Sequence, residues 1–429
     1  MSTARSWSAG SKRRRLAELW KGEIEAWEPE RRLAHNLARL AGHVEQVRSR
    51  SPWYRKRLGK GPVDSAAALA ELPLITKSEI IADQAADPPY GTLIAAPTDE
   101  VVRIYVGAGP QATYMTRPDY ALTSDNAAWA FYTNGFRKDD RVDNTIMYHW
   151  VIAGTVIDEG LRSIGCAVIP GGIGNAQAHL ENMRWTKATG MFIFPTFLEE
   201  LAAKAEELGI DVRRDLHLRL TTISGEMRSD EVMRRQRELW GMELREIYGG
   251  AEVPFMAAEC PAGGGMHVNP DFHVEFLHPE TRQPAGPGEP TVPVVSELGR
   301  EAYPMIRYWT GDISAGYEDE PCSCGRTTAR IGRILGRVGD IPRVKGLFVV
   351  PKQVQASLDR VGGLGRFQLV IDRPDRQDTL TVRVESEHQR EDDIIQALKD
   401  GIRLTCAVEL LAPGSLAADA PVVVDRRRV

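Results

Sequence analysis

Gly190-Met191-Phe192-Ile193-Phe194-Pro195 is a short apolar run stopped by a proline, and an amphipathic helical pattern over 197–208 follows it. Leu220-Thr221-Thr222-Ile223-Ser224-Gly225 repeats the arrangement, with a glycine at its end. On the N-terminal side, Asn144-Thr145-Ile146-Met147 and Ala167-Val168-Ile169-Pro170 read as two earlier strands. Short strands alternating with helices over about 140–250 predict a mainly parallel sheet with helices packed on it, an α/β architecture.

Further out the texture changes. Residues 12–60 read as helices, with Leu16, Leu19 and Trp20 on one apolar face and Leu33, Leu37, Leu40 and Val44 on another. Thr76 stands three residues before Glu79, the spacing of a capping box that opens a helix. From 265 to 350 short β-like runs are broken by Gly and Pro, among them His273-Val274-Glu275-Phe276-Leu277 and Pro290-Thr291-Val292-Pro293-Val294-Val295-Ser296. These predict a twisted antiparallel or barrel-like part. The tail repeats strand and helix on a smaller scale: Phe367–Asp372, Thr379–Val384, then a helix over 389–403. It is long enough for a small α+β domain.

A chain of 429 residues exceeds one ordinary core, so two or three packed units are expected. Its 42% hydrophobic and 26% charged residues are ordinary for a soluble globular protein. The net charge of −5 argues against a general nucleic-acid binder, which needs a basic surface to displace counterions. No apolar run approaches the ~20 residues of a membrane span, and the first residues carry no secretory signal. A cytoplasmic protein with neither nucleic-acid nor membrane partners is expected. The basic run Lys12-Arg13-Arg14-Arg15 reads as a solvated helix end. Five cysteines in a cytoplasmic chain do not suggest a disulfide framework.

Four separated segments resemble the phenylacetate-coenzyme A ligase branch of the adenylate-forming superfamily. The first is Ser51-Pro52-Trp53-Tyr54-Arg55 with Leu72-Pro73-Leu74-Ile75-Thr76-Lys77. The second is Ile223-Ser224-Gly225-Glu226-Met227 with Ile247-Tyr248-Gly249-Gly250-Ala251-Glu252. The third is Met305-Ile306-Arg307-Tyr308-Trp309-Thr310-Gly311-Asp312, and the fourth Cys322-Ser323-Cys324-Gly325-Arg326 with Ile331-Gly332-Arg333-Ile334-Leu335-Gly336-Arg337. Order and spacing match over roughly 50–360, and Val424-Asp425-Arg426-Arg427 fits the family's ending.

The resemblance implies a large N-terminal domain (1–336), with helix-covered sheets and a barrel-like, zinc-containing part at about 256–336. A small mobile C-terminal domain (337–429) would be hinged near 337–340. It implies enzymes that join a carboxylic acid to AMP using ATP and Mg²⁺, then pass the acyl group to a thiol such as coenzyme A. Tyr248 then matches the aromatic that stacks on adenine, and Asp312 the carboxylate that accepts from the ribose hydroxyls. Glu252 matches the acid beside Mg²⁺, a hard cation that takes oxygen ligands. Gly225, Glu226, Gly249 and Arg337 fall in the same motifs and are assigned to the nucleotide site with them.

The match breaks at the phosphates. Where the family has a Ser/Thr/Gly-rich loop with a lysine, this chain reads Tyr105-Val106-Gly107-Ala108-Gly109-Pro110-Gln111-Ala112-Thr113, with no lysine and one threonine. Such loops work by neutralising phosphate charge with backbone N–H groups, hydroxyls and a cation. The family's threonine before the Mg²⁺ glutamate is Ala251. Its near-C-terminal lysine is missing: the last lysine is Lys399, and Gly414-Ser415-Leu416-Ala417-Ala418-Asp419-Ala420-Pro421 takes its place. The usually acidic hinge position is Gly339, beside Asp340.

Cys260, His267, Cys322 and Cys324 form a C-x6-H and C-x-C set that suits a closed structural zinc site, as the branch implies; a buried thiol plus a tight turn is the plain alternative. Cys166 and Cys406 read as core. His149, in Tyr148-His149-Trp150 beside the expected acyl pocket, reads as a general base or as a packed histidine. Residues 147–154, 193–197 and 224–227 are expected to line that pocket, where Phe192, Phe194 and Phe197 suit an aromatic or bulky apolar acid.

Three functions fit. One is an enzyme that takes a preformed acyl-adenylate or acyl thioester and performs transfer, cyclisation or condensation in a biosynthetic pathway. The second is an ATP-dependent acyl-CoA ligase, and the third a ligand-binding subunit without catalysis. The first is preferred on the phosphate-end losses. A homodimer and a carrier-protein or pathway partner are compatible with it.

Overall fold

The computed structural model describes residues 19–427, apart from 108–110, 227–229, 339–341, 345–346, 373, 375–378, 403, 405 and 418. The basic run at 12–15, Leu16, Met227, three residues of the phosphate-loop segment and the hinge pair Gly339 and Asp340 lie outside the described residues.

After a short 3₁₀ turn at Gly22–Ala26, helix α1 (Pro29–Arg50) buries Asn36, Leu40, His43, Val44 and Val47. Leu33, expected on that face, is exposed, so the buried stripe begins one turn later. Helix α2 (Lys77–Ala86) opens with Glu79 accepting from the Thr76 backbone N–H at 2.8 Å, as the spacing requires. A hairpin of β1 (Arg103–Gly107) and β2 (Gln111–Met115) leads into α3 (Arg117–Asn134), which runs through the interior. Trp129 and Phe131 on α3 pack with Phe136, Val142, Phe192 and Phe255.

The alternating region is β3 (Arg141–Asn144), α4 (Ala153–Ser163), β4 (Ala167–Ile169), α5 (Ala176–Thr186), β5 (Gly190–Ile193), α6 (Pro195–Glu207), β6 (Leu220–Ile223), α7 (Asp230–Trp240) and β7 (Glu243–Tyr248). Strands pair in parallel as β4-β3-β5-β6-β7. The central β5 and β6, four residues each with every side chain buried, are strands covered on both faces. The strand expected at 144–147 lies three residues earlier. Asn144 ends it, because its side chain captures local groups: Oδ1 accepts from Ile146 N–H, and Nδ2 donates to the Tyr148 hydroxyl and the Gly154 carbonyl.

Strands β8 (Ala257–Glu259), β9 (Met266–Val268), β14 (Tyr317–Glu318) and β15 (Arg330–Ile331) extend the same sheet with antiparallel partners, to nine strands in the order β14-β15-β9-β8-β7-β6-β5-β3-β4. The intervening β10 (Phe272–Leu277), β11 (Val292–Glu297) and β12 (Tyr308–Trp309) form a separate three-stranded sheet, and β13 spans Asp312–Ser314. The irregular texture at 265–350 therefore divides between the main sheet, the three-stranded sheet and short two-stranded pairings.

The chain separates into two compact units. The larger runs to Glu226 and resumes over Arg234–Arg333; the smaller holds Ile334 onward with the few residues before Arg234. The small unit begins with β16 (Ile334–Arg337), β17 (Arg343–Val344) and β18 (Leu347–Phe348). It then builds the four-stranded sheet β21-β20-β19-β22 from β19 (Leu364–Asp372), β20 (Thr379–Ser386), β21 (Ala407–Leu411) and β22 (Val423–Asp425). Helices α8 (Pro351–Val361) and α9 (Glu391–Ile402) cover one face, with Leu358, Ile394 and Leu398 on Leu369, Val382 and Val384. No described helix is long and apolar enough to cross a membrane.

Candidate functional site

The C-terminal ends of parallel strands are where α/β sheets gather ligands, since loops there splay apart and helix N-termini face the opening. Gly225 and Glu226 follow β6, Tyr248 and Gly249 end β7, and His149 follows β3. Gly225 has φ +80°, and a Cβ on it would sit 2.6 Å from the Phe194 ring. Gly249 is required by close approach: its Cβ would lie 2.6 Å from the Phe255 nitrogen. Glu226 is pinned to the start of α6, accepting from the Thr196 N–H at 3.0 Å and its hydroxyl at 2.6 Å. Ser224 donates to the Ile247 carbonyl and ties the two strand ends together.

Tyr248 and Asp312, separated by 64 residues in sequence, meet: the phenol donates to Asp312 Oδ2 at 2.9 Å. Desolvation first, and then the Asp312 charge, push the phenol well above its ordinary value, so it remains a donor. A flat ring and a carboxylate thus share one hydrogen bond where adenine and ribose recognition were expected.

Glu252 is buried and already occupied. Gln111 donates to its Oε1 at 2.8 Å and to the Tyr303 hydroxyl at 2.9 Å, and the Lys77 ammonium lies 3.2 Å from the same Oε1. Arg300 donates to the Glu252 backbone carbonyl at 2.9 Å. Burial, then the Glu252 charge, raise the Tyr303 phenol. Lys77 and Gln111 went unrecognised in the sequence, although both stand in quoted segments; only the fold brings them to a carboxylate more than 140 residues away.

His149 is not drawn into this group by any bond. It is exposed, and its ring makes no hydrogen bond or ion pair to a described residue. A different histidine is built in: His179 on α5, buried, with Nδ1 2.6 Å from Asp143 Oδ2 and Nε2 3.1 Å from the Gly172 carbonyl. Burial opposes its charge, but the Asp143 bond outweighs that and raises it. Tyr148 donates to Asp158 on α4 at 2.8 Å. Phe192 is core, Phe194 exposed and Phe197 half-buried against His179. Arg337 is exposed on β16 of the small unit.

Cys260, His267, Cys322 and Cys324 converge, with one ligand atom from each lying within 4.8 Å of the others. Cys260 Sγ is 3.8 Å from Cys322 Sγ, and Cys324 Sγ is 3.5 Å from His267 Nε2. A tetrahedral ion with bonds of about 2.3 Å to sulfur and 2.0–2.1 Å to nitrogen has edges of about 3.8 and 3.5 Å, so the donor set fits zinc in size and chemistry. His267 Nδ1 is held 3.2 Å from the Thr328 hydroxyl, the kind of outer contact that orients a ligating imidazole. The bond from Cys260, with help from His267, holds the Cys324 thiol far below its ordinary value. Cys166 and Cys406 are buried, as expected of core thiols.

Residues 346–427 match the family described as AMP-binding enzyme C-terminal domain. The phenylacetate-coenzyme A ligase of Thermus thermophilus is 27% identical over 92% of this chain and 96% of its own length. That of Pseudomonas putida is 28% identical over 89% and 90%. Among solved structures, an open conformation of 2-hydroxyisobutyryl-CoA ligase in complex with 2-HIB-AMP and CoA superposes with a TM-score of 0.82. It covers 99% of this chain and 97% of that one at 24% identity. The amide bond synthetase from Marinactinospora thermotolerans is more distant, with a TM-score of 0.53 and 17% identity over 74% and 67%. With motifs in order along the chain, sequence likeness over nine-tenths of its length and a shared fold, the chain is similar throughout to phenylacetate-coenzyme A ligases and has the fold of adenylate-forming enzymes.

Proposed function

We propose that this chain is an acyl-transferring enzyme descended from acyl-CoA ligases. It takes an aromatic or bulky acyl group as a preformed adenylate or thioester, in a biosynthetic setting, and adenylation from ATP is impaired. The observation that carries this reading is the state of Glu252. The carboxylate that should help hold Mg²⁺ has Oε1 engaged by the Lys77 ammonium and the Gln111 amide. A metal ion would have to displace a cation already there. The small unit supports the same reading. The loop that stands where the family has its lysine is clasped from below by Glu385, which accepts from the Leu416 N–H at 2.7 Å and the Arg366 N–H at 3.3 Å. These backbone donors are taken up by a carboxylate, and the loop supplies no lysine.

The chemistry left is acyl transfer. An acceptor nucleophile attacks the carbonyl carbon, AMP or a thiol leaves, and the acceptor's proton goes to a base. His149, exposed and without a ring partner among the described residues, is the base to test. The Cys260, His267, Cys322 and Cys324 set is proposed to hold a structural zinc ion, closed by four protein ligands and taking no part in the reaction.

Lys77 also favours a second reading, an ATP-dependent acyl-CoA ligase in which this lysine replaces the missing loop cation. ATP–pyrophosphate exchange across a panel of aryl and branched acids separates the two. The first reading predicts exchange at background, with His149→Ala slowing acyl transfer from supplied adenylates or thioesters. Robust exchange with any acid, abolished by Lys77→Met, establishes the second.

A further inference from the structure

The N-terminal segment Lys21–Trp27 folds as a five-residue 3₁₀ turn, too short to hold itself, so its position must come from what it touches. Lys21 Nζ anchors its start to Asp125, to Asn126 at 3.2 Å and to Asp271 at 2.6 Å, and the rest of it touches the cysteine-bearing loop. Glu25, fully buried, accepts from Arg326 Nε at 2.6 Å and from Trp129 Nε1 at 3.0 Å through one oxygen, and from the Lys21 N–H at 2.7 Å through the other. The Glu25 carbonyl accepts from the Thr327 N–H at 2.9 Å. Arg32 bridges the Trp27 carbonyl and both the hydroxyl and carbonyl of Thr327 at 2.7–2.9 Å.

Arg326 faces the other way as well. Its Nη1 lies 3.7 Å from Cys324 Sγ and its Nη2 donates to Thr133 at 3.1 Å. Three thiolates and a neutral imidazole around Zn²⁺ carry a net charge of −1, which is costly to bury without a counter-charge. Arg326 lies against this charge while also pairing with Glu25, and Arg245 is a second cation that feels Cys260, so Arg326 is the cation that joins the centre to the N-terminal segment.

We propose that Arg326 couples occupancy of the cysteine–histidine centre to the seating of Lys21–Trp27. A metal ion fixes the Cys322–Cys324 turn and hence the guanidinium that holds Glu25; metal loss loosens the segment at Glu25–Trp27, while Lys21 keeps its own partners. This rests on the zinc reading of the cluster. Outer contacts of this kind are typically worth 10–100-fold in metal affinity. The N-terminal segment thereby becomes a reporter of metal state, far in sequence from every ligand.

Hydrogen exchange by mass spectrometry on the full chain tests it. Zinc-loaded protein is compared with protein stripped by dipicolinate under reductant, following peptides over 19–27 and a reference over 190–223. Stripping is expected to speed exchange at 19–27 at least tenfold while the reference holds, with recovery when zinc returns. In Arg326→Gln, at saturating zinc with metal content verified by mass spectrometry, exchange at 19–27 should stay fast. Glu25→Gln should behave likewise, and it carries the test if the arginine variant does not fold. Unchanged exchange at 19–27 after verified metal loss overturns the coupling, as does full zinc-dependent protection in either variant. Equal acceleration in the reference peptide also overturns it, because the centre is then a general staple. A chain that takes up no zinc contradicts the metal reading itself, before the coupling is reached.

Discussion

Asp312 accepts a hydrogen bond from the Tyr248 phenol through Oδ2, and in the proposed nucleotide site it would also receive the ribose hydroxyls. Hydrogen bonds to charged groups are worth about 1.5–3 kcal/mol, so Asp312→Asn should weaken AMP binding roughly tenfold or more. Tyr248→Phe, which keeps the ring face, should weaken it less, and calorimetric titration reads both. Glu297 allows a pH test. Burial raises its carboxyl to about 7 against an ordinary 4.5, with Arg300 opposing and Asp119 reinforcing the shift. The folded value is the higher one, so the native state binds more protons between the two values. This group's contribution to stability therefore falls as pH rises from about 4.5 to about 7, and stays low above. Glu297→Gln should remove the decline, read as a flat pH dependence in urea unfolding between pH 5 and 8, while lowering stability overall because it leaves buried Arg300, 3.2 Å away, without its carboxylate. At this scale the sequence singled out residues that the fold does bring together, the Cys260–Cys324 set and the Tyr248 and Asp312 pair. It concealed those defined by a distant neighbour: Lys77 and Gln111 acquire meaning only beside Glu252, and His179 only beside Asp143.

The elements were most legible where a local rule fixes them. The Thr76 and Glu79 box, the β5 run closed by Pro195 and the paired strands of the tail are all local, and the structure has them within a few residues. β3 was misplaced because the apolar letters continue past Asn144 while its side chain turns the backbone away. Nor could the strands at 257–331 show from spacing alone which of two sheets they join, since their partners are set by long-range register. The loop after β21 supplies the test at this scale. Its hold on Glu385 predicts that Glu385→Ala speeds amide exchange at Leu416 and Arg366, with β20 unaffected. Unchanged exchange there would show the loop held by something else.

For the whole molecule, two units with separate cores predict separate unfolding. If the cysteine–histidine set holds zinc in the large unit, chelation under reducing conditions should leave the small unit's transition in place. One transition shifting as a block would contradict that independence. The central claim is that this body keeps the adenosine end of an adenylate site and has lost its grip on triphosphate. Isothermal titration of the purified protein with ATP, AMP and a panel of aryl-CoA thioesters measures it most directly. Micromolar binding of AMP and at least one thioester is expected, with no measurable gain for ATP and Mg²⁺. ATP with Mg²⁺ binding more tightly than AMP would contradict it.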